Sequence, residues 1–520
     1  MAVASALAAA VWGDPVFSPR GLGVYAVAAA LSVGGIALAV RSRPLRAAPA
    51  TIVLLAGAAF AIRLAVALVL QRALPAYAYP VEYFQSGYVF QDAWVRDENA
   101  WELSSSGASL ATSFADGIRG DQYGGMMFLS AMTYRMLSPD LHRPILIVFF
   151  TAGAAALAVL FGWAFTAKVF GTAPAGIAAA IAAFYPDGVL LGASQMREPF
   201  LILGLGLALW GMARLRAGEL GAGWRRVIAG CTLGMVFSPP FAIFMLLVVL
   251  GITIWEPTRR AALPRRVWIP TLGIGLIGVA LTVRAWSSLE FAPEGNPLAV
   301  LGWWISSDIP SQLTEFARAS GWADRIFQMT PVWTHLPLAT AYGLLQPFLP
   351  AALADNTGPL IMSLLVGLRA AGWLVLLVLL LYATGAALRR GWNRLPLALA
   401  VFTWLSVVLA SYRAVGDQWD NPRYRTIFIV LYAALAGWGW AEAARQRSPW
   451  LVRTAALVGA FHLVLLHWYV GRYYHTPRLS LENTLAVSFV AVVLLAAAFT
   501  VHDGWRRRQA ARLAGSGPAD

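Results

Sequence analysis

The sequence predicts an all-α fold, a polytopic transmembrane helical bundle, on three observations. Hydrophobic residues make up 59% of the 520, charged residues 12%, and mean hydropathy is +0.65. Soluble domains carry roughly twice that share of charge. Apolar runs of about 20 residues, the length that crosses a bilayer as a helix, recur along the whole chain. The runs are continuous rather than alternating. Lipid tolerates only helices or closed barrels, because unpaired backbone groups are costly there, so helices are meant.

Hydropathy places about 11–13 spans. The stretches are 21–41, 50–71, 144–167, 173–191, 199–214, 226–238, 241–255, 267–286, 360–388, 394–412, 426–442, 451–470 and 483–501. Arginine clusters punctuate them: Arg41, Arg43 and Arg46; Arg214, Arg216, Arg225 and Arg226; Arg259, Arg260, Arg265 and Arg266; Arg389, Arg390 and Arg394; Arg445, Arg447 and Arg453; Arg506, Arg507, Arg508 and Arg512. With alternating spans all six fall on one side, which the positive-inside rule makes cytoplasmic. The net charge of +14 is therefore an orientation signal, and no nucleic-acid partner is expected. Lys168 is the lone lysine, so the other cations are guanidinium forks, which suit phosphate.

The opposite side receives the long segments 72–143 and 287–359 and the shorter 413–425. The first is a polar break in a greasy chain, with Glu82, Asp92, Asp97, Glu98, Glu102, Asp116, Asp121 and Asp140 against fewer arginines. The second carries Trp303, Trp304, Trp322 and Trp333 with Asp308, Glu315 and Asp324, a pattern of helices lying in the membrane interface. Chemistry is expected on this extracytoplasmic side of a plasma (inner) membrane. Residues 1–49 read as an added transmembrane helix and cytoplasmic turn. Residues 50–445 read as the catalytic module, and 446–520 as C-terminal helices with a basic tail, disordered after Arg512. Met1 to Gly13 lacks the basic region of a cleaved signal peptide.

Three groups on the outer side carry candidate chemistry. Asp92 and Asp97 are five apart, so on one helix they would diverge by roughly 140°. A loop-to-helix junction is expected instead, with Asp97 near the N-terminus of a short helix through Ala100, Leu103 and Gly107, where the macrodipole favours an anion. Capping alone would also explain either acid. Arg197-Glu198-Pro199 follows Tyr185-Pro186-Asp187 at the next outer turn. Pro199 suits a first helical turn and Glu198 its dipole, which accounts for the motif structurally; a substrate-facing role for Arg197 and Glu198 is the alternative. Arg413 and Asp417-Gln418-Trp419-Asp420-Asn421-Pro422-Arg423-Tyr424-Arg425 stand where arginine should not accumulate. Two forks at a helix start suit a phosphate, and that reading is preferred; interfacial snorkelling with Asp417 and Asp420 as counter-charges is the alternative. Arg63 and Arg369 lie inside spans without a visible partner.

Absences narrow the classes. There is no phosphate loop for ATP and no nucleophile-elbow serine. One cysteine, Cys231, forms no disulfide, and the six histidines show no metal spacing.

Four motifs in order, Phe60-Ala61-Ile62-Arg63-Leu64, Asp92 to Leu103, Tyr185-Pro186 with Arg197-Glu198, and Arg423-Tyr424, give the chain a resemblance. Over residues 50–445 it resembles the GT-C class of polytopic glycosyltransferases, in particular the protein O-mannosyltransferase and lipid A aminoarabinose transferase group (glycosyltransferase family 39-like). The resemblance implies a polyprenyl-phosphate sugar donor, membrane lipids as partners, and a first-loop acid as base. Asp92-Ala93 fits one form of the family motif and Asp97-Glu98 the other; Asp92 is preferred and both are carried. It further implies donor-phosphate contacts from Arg423, Arg425 and Arg197, and substrate contacts from Glu98, Asp121, Tyr123, Glu198 and Tyr424. Asp121-Gln122-Tyr123-Gly124-Gly125 departs from the Pro-rich segment common in the class. Inversion at the anomeric carbon is implied. Some relatives use a divalent metal, for which Glu198 and Asp187 offer oxygens, but no metal site is assigned. The rival class is a transporter or lipid flippase, with Arg63 and Arg369 lining its path.

Overall fold

The computed structural model describes residues 1–42, 45–115, 121–255, 265–287, 299, 302–303, 306–307, 309–319, 321–391 and 394–515. The expected charges and aromatics at Arg43, Asp116, Arg119, Arg259, Arg260, Trp304 and Asp308, and the tail from 516, lie outside them.

The described chain is helical throughout, with no strand. α1 (Ala2–Trp12) and α2 (Pro19–Arg41) lead to α3 (Ala50–Tyr77). The first polar segment folds into α4 (Glu82–Gln85), α5 (Gln91–Ser105), a 3-10 turn (Leu110–Phe114) and α6 (Gly125–Leu137). Then come α7 (Ile145–Phe170), α8 (Thr172–Phe184), α9 (Pro186–Gly192), α10 (Glu198–Arg216), α11 (Leu220–Phe237), α12 (Pro239–Trp255) and α13 (Arg265–Ser287). The second long segment supplies α14 (Ile309–Ala319), α15 (Gly321–Met329), α16 (Val332–Gly343) and α17 (Leu349–Ala354). The chain closes with α18 (Leu360–Arg389), α19 (Leu395–Ala414), α20 (Asp420–Thr426), α21 (Ile429–Gln446), α22 (Trp450–Tyr473) and α23 (Leu481–Gly515).

Among the described residues nine helices are long and apolar enough to span a membrane, and up to 11 if two bent pairs each count as one. The protein is a multi-pass membrane protein. The expectation of about 11–13 spans is met at its lower bound when each bent pair counts as one. The stretch 226–238 belongs to α11, which begins at Leu220 and carries Arg225 and Arg226; α12, at 17 residues, is short. The expected span 173–191 is broken by 54° between α8 and α9, whereas 426–442 matches α21 from Ile429 onward and is set off from α20 by a 72° bend at its start.

Apolar on every side, α7 is buried on every side and forms the central post. Helix α10 packs on it, and α11 packs against α10 through glycine. A Cβ on Gly204 would meet the Gly230 carbonyl oxygen at 2.8 Å, and one on Gly211 would meet that of Gly223 at 2.7 Å. Small residues let the two backbones touch, which supplies packing where lipid gives no hydrophobic drive. Gly204→Leu is expected to lower stability by about 1–3 kcal/mol. An unfolding temperature in detergent equal to wild type would refute this backbone contact.

The broken spans explain the intramembrane arginines. Pro186 cannot continue the ladder of α8, so the last carbonyls of that helix lose their partners. Arg63 from α3 fills the gap, donating to the carbonyls of Ala183 (2.9 Å), Ala182 (3.3 Å) and Gly188 (3.2 Å) as well as Ala59 in its own helix (2.8 Å). Arg369 pairs with Asp187 at 2.5 Å, both buried, and donates to the Trp419 carbonyl (3.4 Å), linking α9 to the start of α20. Neither guanidinium lines an open path.

Candidate functional site

The site gathers at the end of the bundle where α10, α18, α20 and α22 place Glu198, Leu360, Arg423 and Tyr473. Helix α5 starts at Gln91, earlier than expected, so Asp92 stands in its first turn and Asp97 lies inside it. The two acids diverge and do different things.

Asp92 faces Arg423. The Arg423 Nη1 donates to Asp92 Oδ2 at 2.8 Å and lies 3.4 Å from Asp420 Oδ1, while Nε donates to Glu198 Oε1 at 2.7 Å. Arg423 and Glu198 are buried; Asp92 remains half-exposed. Residues up to 331 apart in sequence therefore share one guanidinium. The second Glu198 oxygen is buried and has no hydrogen-bond partner among the described residues. Burial pushes the Asp92 carboxyl up. Arg423, with Arg96 and Arg197 behind it, outweighs that and holds the group below the usual carboxylate range.

Asp97 faces inward and is saturated. It accepts from Tyr88 Oη (2.6 Å), Tyr134 Oη (2.6 Å) and His142 Nε2 (3.0 Å) in a buried pocket. His142 stacks on Trp101 and also lies 3.9 Å from half-exposed Glu98. Burial and then the Asp97 charge raise both tyrosines. Burial would lower His142, but its bond to Asp97 prevails and raises it. A raised folded value stabilises the protein fully below the unfolded value of about 6.5, and that stabilisation is lost as pH rises through the folded value. Unfolding temperature in detergent is thus expected to decline from pH 6 to 9, and the decline should vanish in His142→Gln.

The remaining predicted residues fall around these two acids. Asp121 is buried and holds the start of α6, accepting from the backbone of Met127 (2.8 Å) and Tyr123 (3.4 Å). Arg197 lies 3.8 Å from Asp121 and 4.9 Å over the Tyr123 ring, and Arg96 lies 3.9 Å from Asp121. Arg425 is completely buried, 3.3 Å over Trp373, and donates to the Gln346 carbonyl at 2.7 Å. It stands behind the site rather than in it.

Beside Arg423 opens a cavity of about 710 Å³ whose wall includes Asp420, Tyr424, Arg413, Arg472, Trp322 and Tyr342. Its volume is in the range that encloses a small-molecule ligand. Asp420 and Tyr424 belong to both cavity and ionic cluster; Asp92, Glu198 and Arg423 lie beyond its wall. The 2.8 Å contact between Asp92 and Arg423 leaves no space for a sugar phosphate between them. Sequence reasoning missed Arg472 and the contribution of the second long segment. The signal for Arg472 was the one that marked Arg423, an arginine on the side away from the basic clusters.

Asp92, Glu198 and Asp420 are a donor set that a hard cation would accept. The guanidinium of Arg423 holds the middle of that set, and Asp187 is committed to Arg369. Among the described residues no group of three His, Cys, Asp or Glu side chains is arranged to hold a metal ion. The acids of this set are thus engaged by a resident guanidinium.

Fold and site together define a multi-pass helical membrane protein with a buried ionic cluster beside a cavity at one end. No protein-family model matches the chain, and no curated protein does. Among solved structures it is similar to the archaeal oligosaccharyltransferase AglB of Archaeoglobus fulgidus in complex with an inhibitory peptide and a dolichol-phosphate. The identity is 11% and the TM-score 0.38, over 85% of this chain and 55% of that one. The same organism's oligosaccharyltransferase with Zn and sulfate gives 15% identity and a TM-score of 0.41, over 80% and 52%. The chain spans about half the length of these proteins.

Proposed function

We propose that the protein is a membrane glycosyltransferase that moves a sugar from a polyprenyl-phosphate donor to an extracytoplasmic acceptor hydroxyl or amine. The observation that carries this is the convergence of Asp92, Glu198 and Asp420 on Arg423 beside a cavity of small-molecule size, with Asp420 on the cavity wall and the others just beyond it. The four-motif resemblance of residues 50–445 supplies the donor class.

In this reading Asp92, ionised and half-exposed, takes the acceptor proton. The acceptor atom bonds to the anomeric carbon, the bond from that carbon to phosphate oxygen breaks, and its electron pair leaves with the polyprenyl phosphate. Arg423 is already shared by three carboxylates, so it aims Asp92 and Glu198 and reaches the leaving group only from behind Tyr424. Arg413 and Arg472 stand on the cavity wall itself and are assigned to the growing phosphate charge. Arg197 and Tyr123 bound the acceptor side, while Arg425 supports Gln346 on the cavity wall. Asp121 and Glu98 act through the positions of α6 and His142.

The lowered Asp92 value fixes a sign. The base is charged at neutral pH and loses its charge only as pH falls below the ordinary carboxylate value of about 3.9. Transfer is therefore expected to hold level from pH 8 to 5. An acid limb centred near pH 6 would point to a different base.

Because a guanidinium fills the acidic set, chelation with EDTA is expected to leave the rate of transfer unchanged. A rate abolished by EDTA and restored by Mn²⁺ would contradict this arrangement. Transfer of labelled sugar from a polyprenyl-phosphate donor by the purified protein tests the proposal as a whole.

A further inference from the structure

A second cavity, of about 370 Å³, lies at the opposite end of the bundle. The helices that begin or end at the ionic cluster reach it at their other termini. Lys168 comes from the last turn of α7, and Arg216 ends α10, the helix that begins with Glu198. Arg390 caps α18, and Arg394 is the N-cap of α19. These four cations line the cavity with Phe170 and Trp438, and no carboxylate among the described residues does.

Two of the described acids beside these cations are each shared with a further arginine. Glu219 pairs with Lys168 at 3.0 Å but is shared with Arg214. Glu442 pairs with Arg390 at 2.7 Å but is shared with Arg445. The N-terminus of α19, starting at Leu395, adds backbone donors and the positive end of a 20-residue helix. Gathering like charges at four helix ends costs energy that a bound anion would offset. The apolar half of the wall argues for an anion with a hydrocarbon body. Leu388 and Trp440, two residues from Arg390 and Trp438, are exposed on the bundle surface, where acyl chains would run.

We propose that this cavity binds the phosphodiester headgroup of an anionic phospholipid, between α7, α10, α18 and α19. The site is remote from Arg423 and stands whether or not the transfer reaction does. Juxtamembrane cations attract anionic lipid with an energy that corresponds to about fivefold in affinity each.

The test uses purified full-length protein in detergent, titrated with phosphatidylglycerol, phosphatidylcholine or inorganic phosphate while the unfolding temperature is followed. Phosphatidylglycerol is expected to raise that temperature saturably and phosphatidylcholine to leave it unchanged. The pair Arg390→Gln and Arg394→Gln should weaken phosphatidylglycerol roughly 25-fold. Native mass spectrometry of the wild type, which needs no variant, should show phosphatidylglycerol retained over phosphatidylcholine. Equal effects of the two lipids, or undiminished affinity in a folded double variant, would overturn the proposal. Inorganic phosphate reproducing the whole shift would overturn the lipid assignment.

Discussion

Asp92→Asn is expected to cut sugar transfer by about 10²–10⁴-fold, the usual contribution of a placed general base, with folding intact. The asparagine keeps the shape and can still accept from Arg423 Nη1, while losing the ability to take a proton. Asp92 is half-exposed at the rim of the cluster, so its loss leaves no buried charge stranded on its own account. Glu198 and Asp420 remain on Arg423. The variant should elute and unfold like wild type while transfer is lost. Full turnover by Asp92→Asn would remove the base from this account.

Asp97→Asn is expected to do the reverse, lowering stability by about 3 kcal/mol or more, because two buried tyrosines and the partly buried His142 converge on that carboxylate. An amide offers one oxygen where two are used and turns its own N–H groups toward another donor. Tyr88, Tyr134 and His142 then lose the acceptor that ties α5 to α6 and to the approach of α7. The unfolding temperature in detergent should fall well below that of Asp92→Asn. Loss of transfer in an Asp97→Asn protein with wild-type stability would move the base role to Asp97.

The contrast between these acids shows how much the sequence could reveal. Their divergence of roughly 140° follows from spacing, but it argues for a loop-to-helix junction, whereas α5 carries both acids and turns them to different faces. The saturation of Asp97 was not legible, since its partners lie 9, 37 and 45 residues away and a single sequence carries no sign of their convergence. Glu198 and Arg423 were placed at one end of the bundle by hydropathy and arginine bias, which are one-dimensional signals of a planar membrane. Their direct ion pair, and the closing of Asp92 and Asp420 onto the same guanidinium, depends on side-chain reach that hydropathy does not encode.

The misjudged elements have a common cause. Hydropathy treats 173–191 as a single apolar run, although Tyr185-Pro186 breaks it, and it does not register the bend at Ile427-Phe428 that sets α20 off from α21. A break inside lipid frees backbone carbonyls, and Arg63 satisfies those of α8. An intramembrane arginine that looks functional in the sequence is thus a structural cap in the fold. Arg425 is similar: its position at a span start suggests phosphate, whereas the helix turn directs it under Trp373. The cavity wall from α14 to α17 was visible only as an interfacial segment rich in tryptophan.

Purified protein in vesicles, given a labelled polyprenyl-phosphate sugar and an acceptor, tests the central claim most directly. The account predicts label covalently joined to acceptor, with polyprenyl phosphate released. Labelled donor carried across the bilayer unchanged, with no acceptor product, would contradict it and make the protein a transporter.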